Sequence, residues 1–230
     1  QPLVPLAFTA YGGESDEGAP GRPTGYPIPD AARTAPGYIE GGIAGGGDEG
    51  DRHLLVVDRD RDLLFETWAT RWDGGGWTAG SGAVFDLGSN DRRPEGWTSA
   101  DAAGLAILPG LVRWDEAHGD GDISHALRVT LRASNGHVWP ASHSAGTDPQ
   151  APPLGARLRL RSSFDESGFP PEIRKIFRAF KTYGLIVADN GSDLYVQGTM
   201  DVRWDNDVLN PAFSALSGDD LEVVELGWRP

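Results

Sequence analysis

The chain contains no cysteine. Disulfides, thiolate metal sites and cysteine nucleophiles are therefore excluded. Positive charge is also scarce. Only Lys175 and Lys181 are lysines among 20 Lys and Arg, against 34 Asp and Glu, for a net charge of −14. A surface this acidic repels phosphate backbones and anionic headgroups. Neither a nucleic-acid partner nor a membrane-surface role is expected, and a polyuronate substrate is disfavoured. No run of 18 apolar residues occurs, so membrane insertion as a helix is not expected. Methionine occurs once, at Met200, and the chain starts at Gln1. These features lead to the expectation of a processed, secreted protein. Glutamine at position 1 excludes a copper site built on an N-terminal histidine amine.

What is present is glycine (32), proline (17) and an apolar fraction of 39%, enough for a core threaded by many turns. The expected fold is mostly β, a β-sandwich or jelly roll of about eight to ten strands with one peripheral α-helix. At 230 residues one domain is expected. Its anticipated range is 52–230, after a Gly/Pro-rich N-terminal arm over 1–51 that ends in GGGDEGD.

Periodicity places the elements. Leu54–Asp58 and Leu63–Trp68 read as a hairpin. Asp58, Asp60 and Asp62 alternate like the start of a calcium loop. Leu63 replaces the required glycine and Ala69 the final glutamate, so a solvated turn is the expectation. Residues 125–132 (HALRVTLR) alternate, with His125, Leu127, Val129 and Leu131 on the apolar side. RLRLR (157–161) alternates in the same way. The spacing of Ile173, Ile176, Phe177 and Phe180 predicts a helix over about 171–183, with Pro171 in its first turn and Gly184 as C-cap. LIVADNGSDLYVQG (185–198) reads as a hairpin about the turn pair Asn190-Gly191.

Gly96 to Glu116 (GWTSADAAGLAILPGLVRWDE) has neither period, which marks it as a structured loop laid on a core. With HALR, VWPASH, GLIVADNGSD and RWDND, its WTSADAAGL and LPGLVRWDE segments resemble a family of secreted bacterial β-rich proteins. The likeness covers about Asp51 to Trp228. It implies an extracytoplasmic protein with a common fold and supplies no catalytic residue.

Chemistry is sought among carboxylates, histidines and tryptophans. Glycoside hydrolysis needs two carboxyl groups flanking the scissile bond. Asp101 is the first candidate, beside Trp97 and among small residues; a turn-capping role is its plainer reading. Asp115 and Glu116 follow Trp114, and one of them would be the second acid. His125, His143 and Asp189 are candidates to line the site, as bases or as metal ligands, although no metal motif spaces them. Trp77, Trp97, Trp114, Trp139 and Trp204, with Asn190, are candidates for sugar contacts, because indoles offer flat apolar faces. Asp205 and Asp207 are candidates for a structural calcium. No G-x-S-x-G elbow occurs.

The expected function is a secreted glycoside hydrolase acting on a neutral or weakly charged polysaccharide, without a required cofactor. A lyase would be the better class if His143 and Tyr195 converged. The alternatives are a non-catalytic carbohydrate-binding protein and a structural or self-assembling protein that donates its arm to a neighbour.

Overall fold

The computed structural model describes residues 1–17 and 21–227. The described chain is mostly β, with three sheets and no closed barrel. Its contacts divide it into two compact units, Gln1–Ala106 and Ile107–Pro230. The division falls inside the aperiodic 96–116 stretch.

The first unit holds β1 (Leu6–Phe8), β2 (Leu54–Asp58), β3 (Leu63–Trp68), β4 (Arg71–Trp72), β5 (Trp77–Ala79) and β6 (Ser81–Asp86). The hairpin of β2 and β3 forms in register from Leu54↔Thr67 to Asp58↔Leu63. Its turn is closed by Asp58, which accepts from the Asp60 and Arg61 N–H groups and pairs with the Arg61 guanidinium. One sheet runs β2-β3-β6 and the other β1-β5-β4. Both line one core: Leu54, Phe65 and Val84 from the first sheet, Leu6, Trp77 and Ala79 from the second.

The N-terminal stretch is not an arm. Tyr26, Ile28, Ala32 and Ile39 belong to the same core, and β1 pairs in parallel with β5. These four stand isolated among glycines and prolines, which hides them from any periodicity, yet they are fully buried, whereas Tyr11, Tyr38 and Ile43 of the same stretch are exposed. Arg93 and Asp16 tie it down further as a buried ion pair. Arg93 also donates to the Glu14 and Thr98 carbonyls, and Asp16 accepts the Val84 N–H at 3.0 Å.

The second unit holds α1 (Trp114–His118), β7 (Leu127–Leu131), β8 (Arg157–Leu160), α2 (Pro171–Thr182), β9 (Leu185–Asn190), β10 (Tyr195–Val196), α3 (Asn206–Ser214) and β11 (Leu221–Val223). The strands form one sheet in the order β10-β7-β9-β8-β11. On β8, Leu158 and Leu160 point inward, while Arg159 pairs outward with Glu222 on β11. The helix expected at 171–183 is α2, and Ile173, Ile176, Phe177 and Phe180 are its buried face. Phe177 meets Phe164, Phe169, Phe180 and Phe213 ring to ring, so aromatic packing joins α2 to α3. Three α-helices occur among the described residues where one was expected.

The hairpin expected at 185–198 does not form. β9 runs parallel to β7, and β10 pairs antiparallel with the opposite edge of β7. The chain therefore passes over the end of β7 rather than turning back on β9. Side chains hold that crossing: Thr130 Oγ1 donates to the Ser192 carbonyl at 2.7 Å, and Asp193 accepts the Arg132 N–H at 2.9 Å. As an interior strand β7 is buried on both faces, so Arg128, expected on the polar side, is 4% exposed. Gly110 packs over it, 3.0 Å from the Arg128 Cβ to where a Cβ would stand.

Candidate ligand-binding cleft

The crossing over β7 shapes a cavity of about 550 Å³ in the second unit, between residues 193–199 and α3. After Val196 the chain leaves the sheet and bonds instead to Val112. The Val112 N–H donates to the Gln197 carbonyl at 3.1 Å, and the Thr199 N–H donates to the Val112 carbonyl at 2.9 Å. On α3, Asn206, Leu209, Asn210 and Phe213 recur at i, i+3, i+4 and i+7, and all four face the cavity. Leu209 and Phe213, with Val112, Ile176 and Leu216, make an apolar floor. Gln197, Asn206 and Asn210 supply amides.

Besides Phe213 in the floor, two aromatic rings stand at the cavity. Tyr195 is 57% exposed. Trp204 is half-buried, and its indole N–H donates to the Thr199 carbonyl at 2.9 Å. Gly198 lies beside that indole: a Cβ there would stand 3.6 Å from Nε1 and 3.2 Å from the Val112 oxygen. Asp193 is the one carboxylate in the lining among the described residues. Arg132 compensates it, at 3.4 Å between Nη1 and Oδ2.

Behind Trp204 stands a stack of rings. His118 lies on Trp114 with planes 10° apart and centroids at 4.1 Å. The Arg203 guanidinium lies 3.9 Å from the same indole. Arg203 is itself gripped by Asp201 and by Asp115 at 3.2 Å. The Arg203 hydrogen bond holds the Asp201 carboxyl at about 2, well below its ordinary value.

The structure scatters most of the residues singled out in the sequence. Asp101 belongs to the first unit and is 1% exposed. It accepts the Ala103 N–H at 3.3 Å, which is the turn-capping role. Asp115 and Glu116 belong to the second unit, on α1. Asp115 is exposed and bonded to Arg203. Glu116 pairs with Arg113 and faces His125 Nε2 at 3.2 Å. The His125 Nδ1–H donates to the Ala126 carbonyl at 2.9 Å, so His125 precedes β7 rather than opening it. His143 is half-buried outside the cavity lining, and Asp189 accepts the Asn190 N–H at 2.7 Å. Asn190 donates to the Ala145 carbonyl at 3.2 Å.

Of the described tryptophans, Trp204 alone lines the cavity. Trp77 is 5% exposed in the core of the first unit and offers no platform. Trp97 lies under the Arg93 guanidinium at 5.2 Å. Trp114 is packed against His118 and Arg203. Trp139 is half-buried before a cis bond to Pro140. Asp205 caps α3, accepting the Asp207 N–H at 2.9 Å. Glu40, Asp51 and His53 bring three ligand-type atoms within 4.8 Å of one another. There His53 Nδ1 meets Glu40 at 2.6 Å, Nε2–H donates to the Ala100 carbonyl at 3.0 Å, and Asp51 accepts the Trp68 indole N–H. Those hydrogen bonds close a loop.

The amides and the α3 face were missed from the sequence. The i, i+3, i+4, i+7 spacing from Asn206 was the available signal, masked by Pro211 inside the helix. No family model, curated protein or solved structure matches the chain. The family resemblance thus rests on its motifs alone.

Proposed function

We propose that the second unit binds a neutral or weakly charged saccharide in this cleft, and that the chain is a secreted carbohydrate-binding protein. One observation carries the reading: a fixed indole and three amides converge over an apolar floor, with a single carboxylate that is already compensated. A sugar ring has an apolar C–H face for the indole and hydroxyls for the amides. The volume falls within the roughly 300–1,000 Å³ typical of small-ligand pockets. On this reading the first unit is a scaffold of sandwich type, two sheets over one core.

Binding is better supported than hydrolysis. A glycosidase needs two carboxyl groups about 5–10 Å apart across the bond, and the described lining offers Asp193 alone. Strand donation by the N-terminal segment is less supported still, because Leu6, Tyr26, Ile28 and Ile39 fill the core of their own unit.

The test is affinity electrophoresis through a panel of neutral and acidic polysaccharides, run beside an assay for new reducing ends and unsaturated products. Wild type is expected to be retarded by at least one neutral polysaccharide. Trp204→Ala is expected to weaken that retention about tenfold, or 1.4 kcal/mol. Retardation without new chain ends makes the protein a binder, and new reducing ends make it a hydrolase. Neither retardation nor cleavage on any substrate overturns the proposal.

A further inference from the structure

We propose that His118 is a positioning residue of the cleft: its imidazole, stacked on Trp114, holds Trp204 in the orientation that presents the indole to a ligand. The consequence for binding rests on the saccharide reading. The orientation of the ring does not, because it is measurable without ligand.

The geometry begins in α1. Its five residues place Trp114 and His118 at i and i+4, on one side of the helix. The imidazole is fixed there in two ways. It stacks on the indole, and its Nδ1–H donates to the Trp114 carbonyl at 3.1 Å. Trp114 is itself held in place by Arg203, which lies 3.9 Å from the indole and is anchored by Asp201 and Asp115. The imidazole then meets Trp204 at 5.8 Å with planes 58° apart, a tilted aromatic contact.

Trp204 needs this support. Its covalent tether and its hydrogen bond to Thr199 hold the two ends of the indole and leave rotation of the ring about the line between them. The loop that carries it is anchored through Arg203, and the Trp204 backbone N–H donates to the Asp201 carbonyl at 3.2 Å, but these contacts hold the backbone and not the ring. A contact with a neighbouring ring off that line restricts the rotation and sets the plane. Binding to a preset ring loses less freedom than binding to a mobile one.

The test follows the Trp204 indole N–H resonance in ¹⁵N–¹H spectra of the full chain, assigned by its loss in Trp204→Phe. In His118→Ala that resonance is expected to shift and broaden, and the Trp114 signal to move with the lost stack, while the remaining indole signals stay, which also reports that the fold is intact. His118→Phe is expected to restore it, since a benzene ring replaces the stacked surface. Retention on the neutral polysaccharide is expected to fall about fivefold in His118→Ala and to recover in His118→Phe. An unmoved Trp204 signal in His118→Ala overturns the inference, as does failure of His118→Phe to restore it. If the signal behaves as expected but wild type is retained by no polysaccharide, the positioning role stands and the saccharide reading falls.

Discussion

Tyr26 shows how a single buried hydroxyl is tolerated. Its ring meets Phe8 and Phe65 edge to face, at 6.0 and 5.4 Å between centroids. Its hydroxyl is buried and finds no hydrogen-bond partner among the described residues. Burial, and next the nearby Asp16 charge, push the phenol far above its ordinary pKa of 10.0. A buried donor without a partner carries its full desolvation cost. Tyr26→Phe keeps the ring contacts and removes the orphan, so stability is expected to hold or rise by about 1 kcal/mol. Urea denaturation monitored by tryptophan fluorescence reads this directly, and a loss of stability would show that the hydroxyl is bonded after all. Behind Trp204 the informative carboxylate is Asp201, held at about 2 by Arg203 against an ordinary 3.8. A depressed carboxylate contributes stability above its ordinary value and loses that contribution as pH falls through its folded value. The melting temperature of wild type is therefore expected to exceed that of Asp201→Asn at neutral pH. The gap is expected to close between about pH 4 and pH 2. A gap independent of pH would remove the ion pair as its cause.

Among the elements, the end of α2 shows why one residue type is required. Gly184 has φ of +82°, and a Cβ there would stand 2.5 Å from the Leu158 carbonyl oxygen on β8. Its N–H donates to the Ala179 carbonyl at 3.1 Å, closing the helix before β9 begins one residue later. Gly184→Ala combines a left-handed backbone with that clash. It is expected to cost about 1–3 kcal/mol of unfolding free energy, read from denaturation midpoints. This helix was fully legible in the sequence because its face, its first-turn proline and its terminal glycine are all local signals. The β2–β3 hairpin and the alternating β8 were legible for the same reason. The 185–198 segment was not. Asn190-Gly191 reports a change of direction, but nothing local says that β7, some 60 residues earlier, occupies the place beside β9. The cleft inherits that difficulty: Trp204 stood out as an aromatic among acids, whereas Gln197, Asn206 and Asn210 matter only because the crossing brings 193–199 against α3. The core residues Tyr26 and Ile39 were hidden differently, as single apolar side chains in a Gly/Pro-rich stretch whose partners are supplied by two distant sheets.

For the whole molecule the governing quantity is the net charge of −14. It acts on ligands before contact, and added salt reduces it, since the Debye length shrinks from about 30 Å at 0.01 M salt to about 10 Å at 0.1 M. A neutral saccharide feels none of this. Its retention is expected to be the same at about 0.01 M and about 0.5 M salt, because stacking on Trp204 and amide hydrogen bonds are insensitive to ionic screening. A polyuronate of similar backbone is repelled at low salt, so any retention it shows is expected to rise as salt is added. The local charge does not reverse this, because Asp193 at the cleft is compensated by Arg132 rather than outnumbered by bases. Affinity electrophoresis of wild type against a matched neutral and anionic pair, at both salt concentrations, separates the cases. Strong retention on the anionic polymer at low salt, lost on adding salt, is the signature of a basic binding surface. That result would move the binding site away from this cleft and toward exposed arginines such as Arg132, Arg159 and Arg161. Salt-independent retention on the neutral polymer keeps it where the indole and the amides converge.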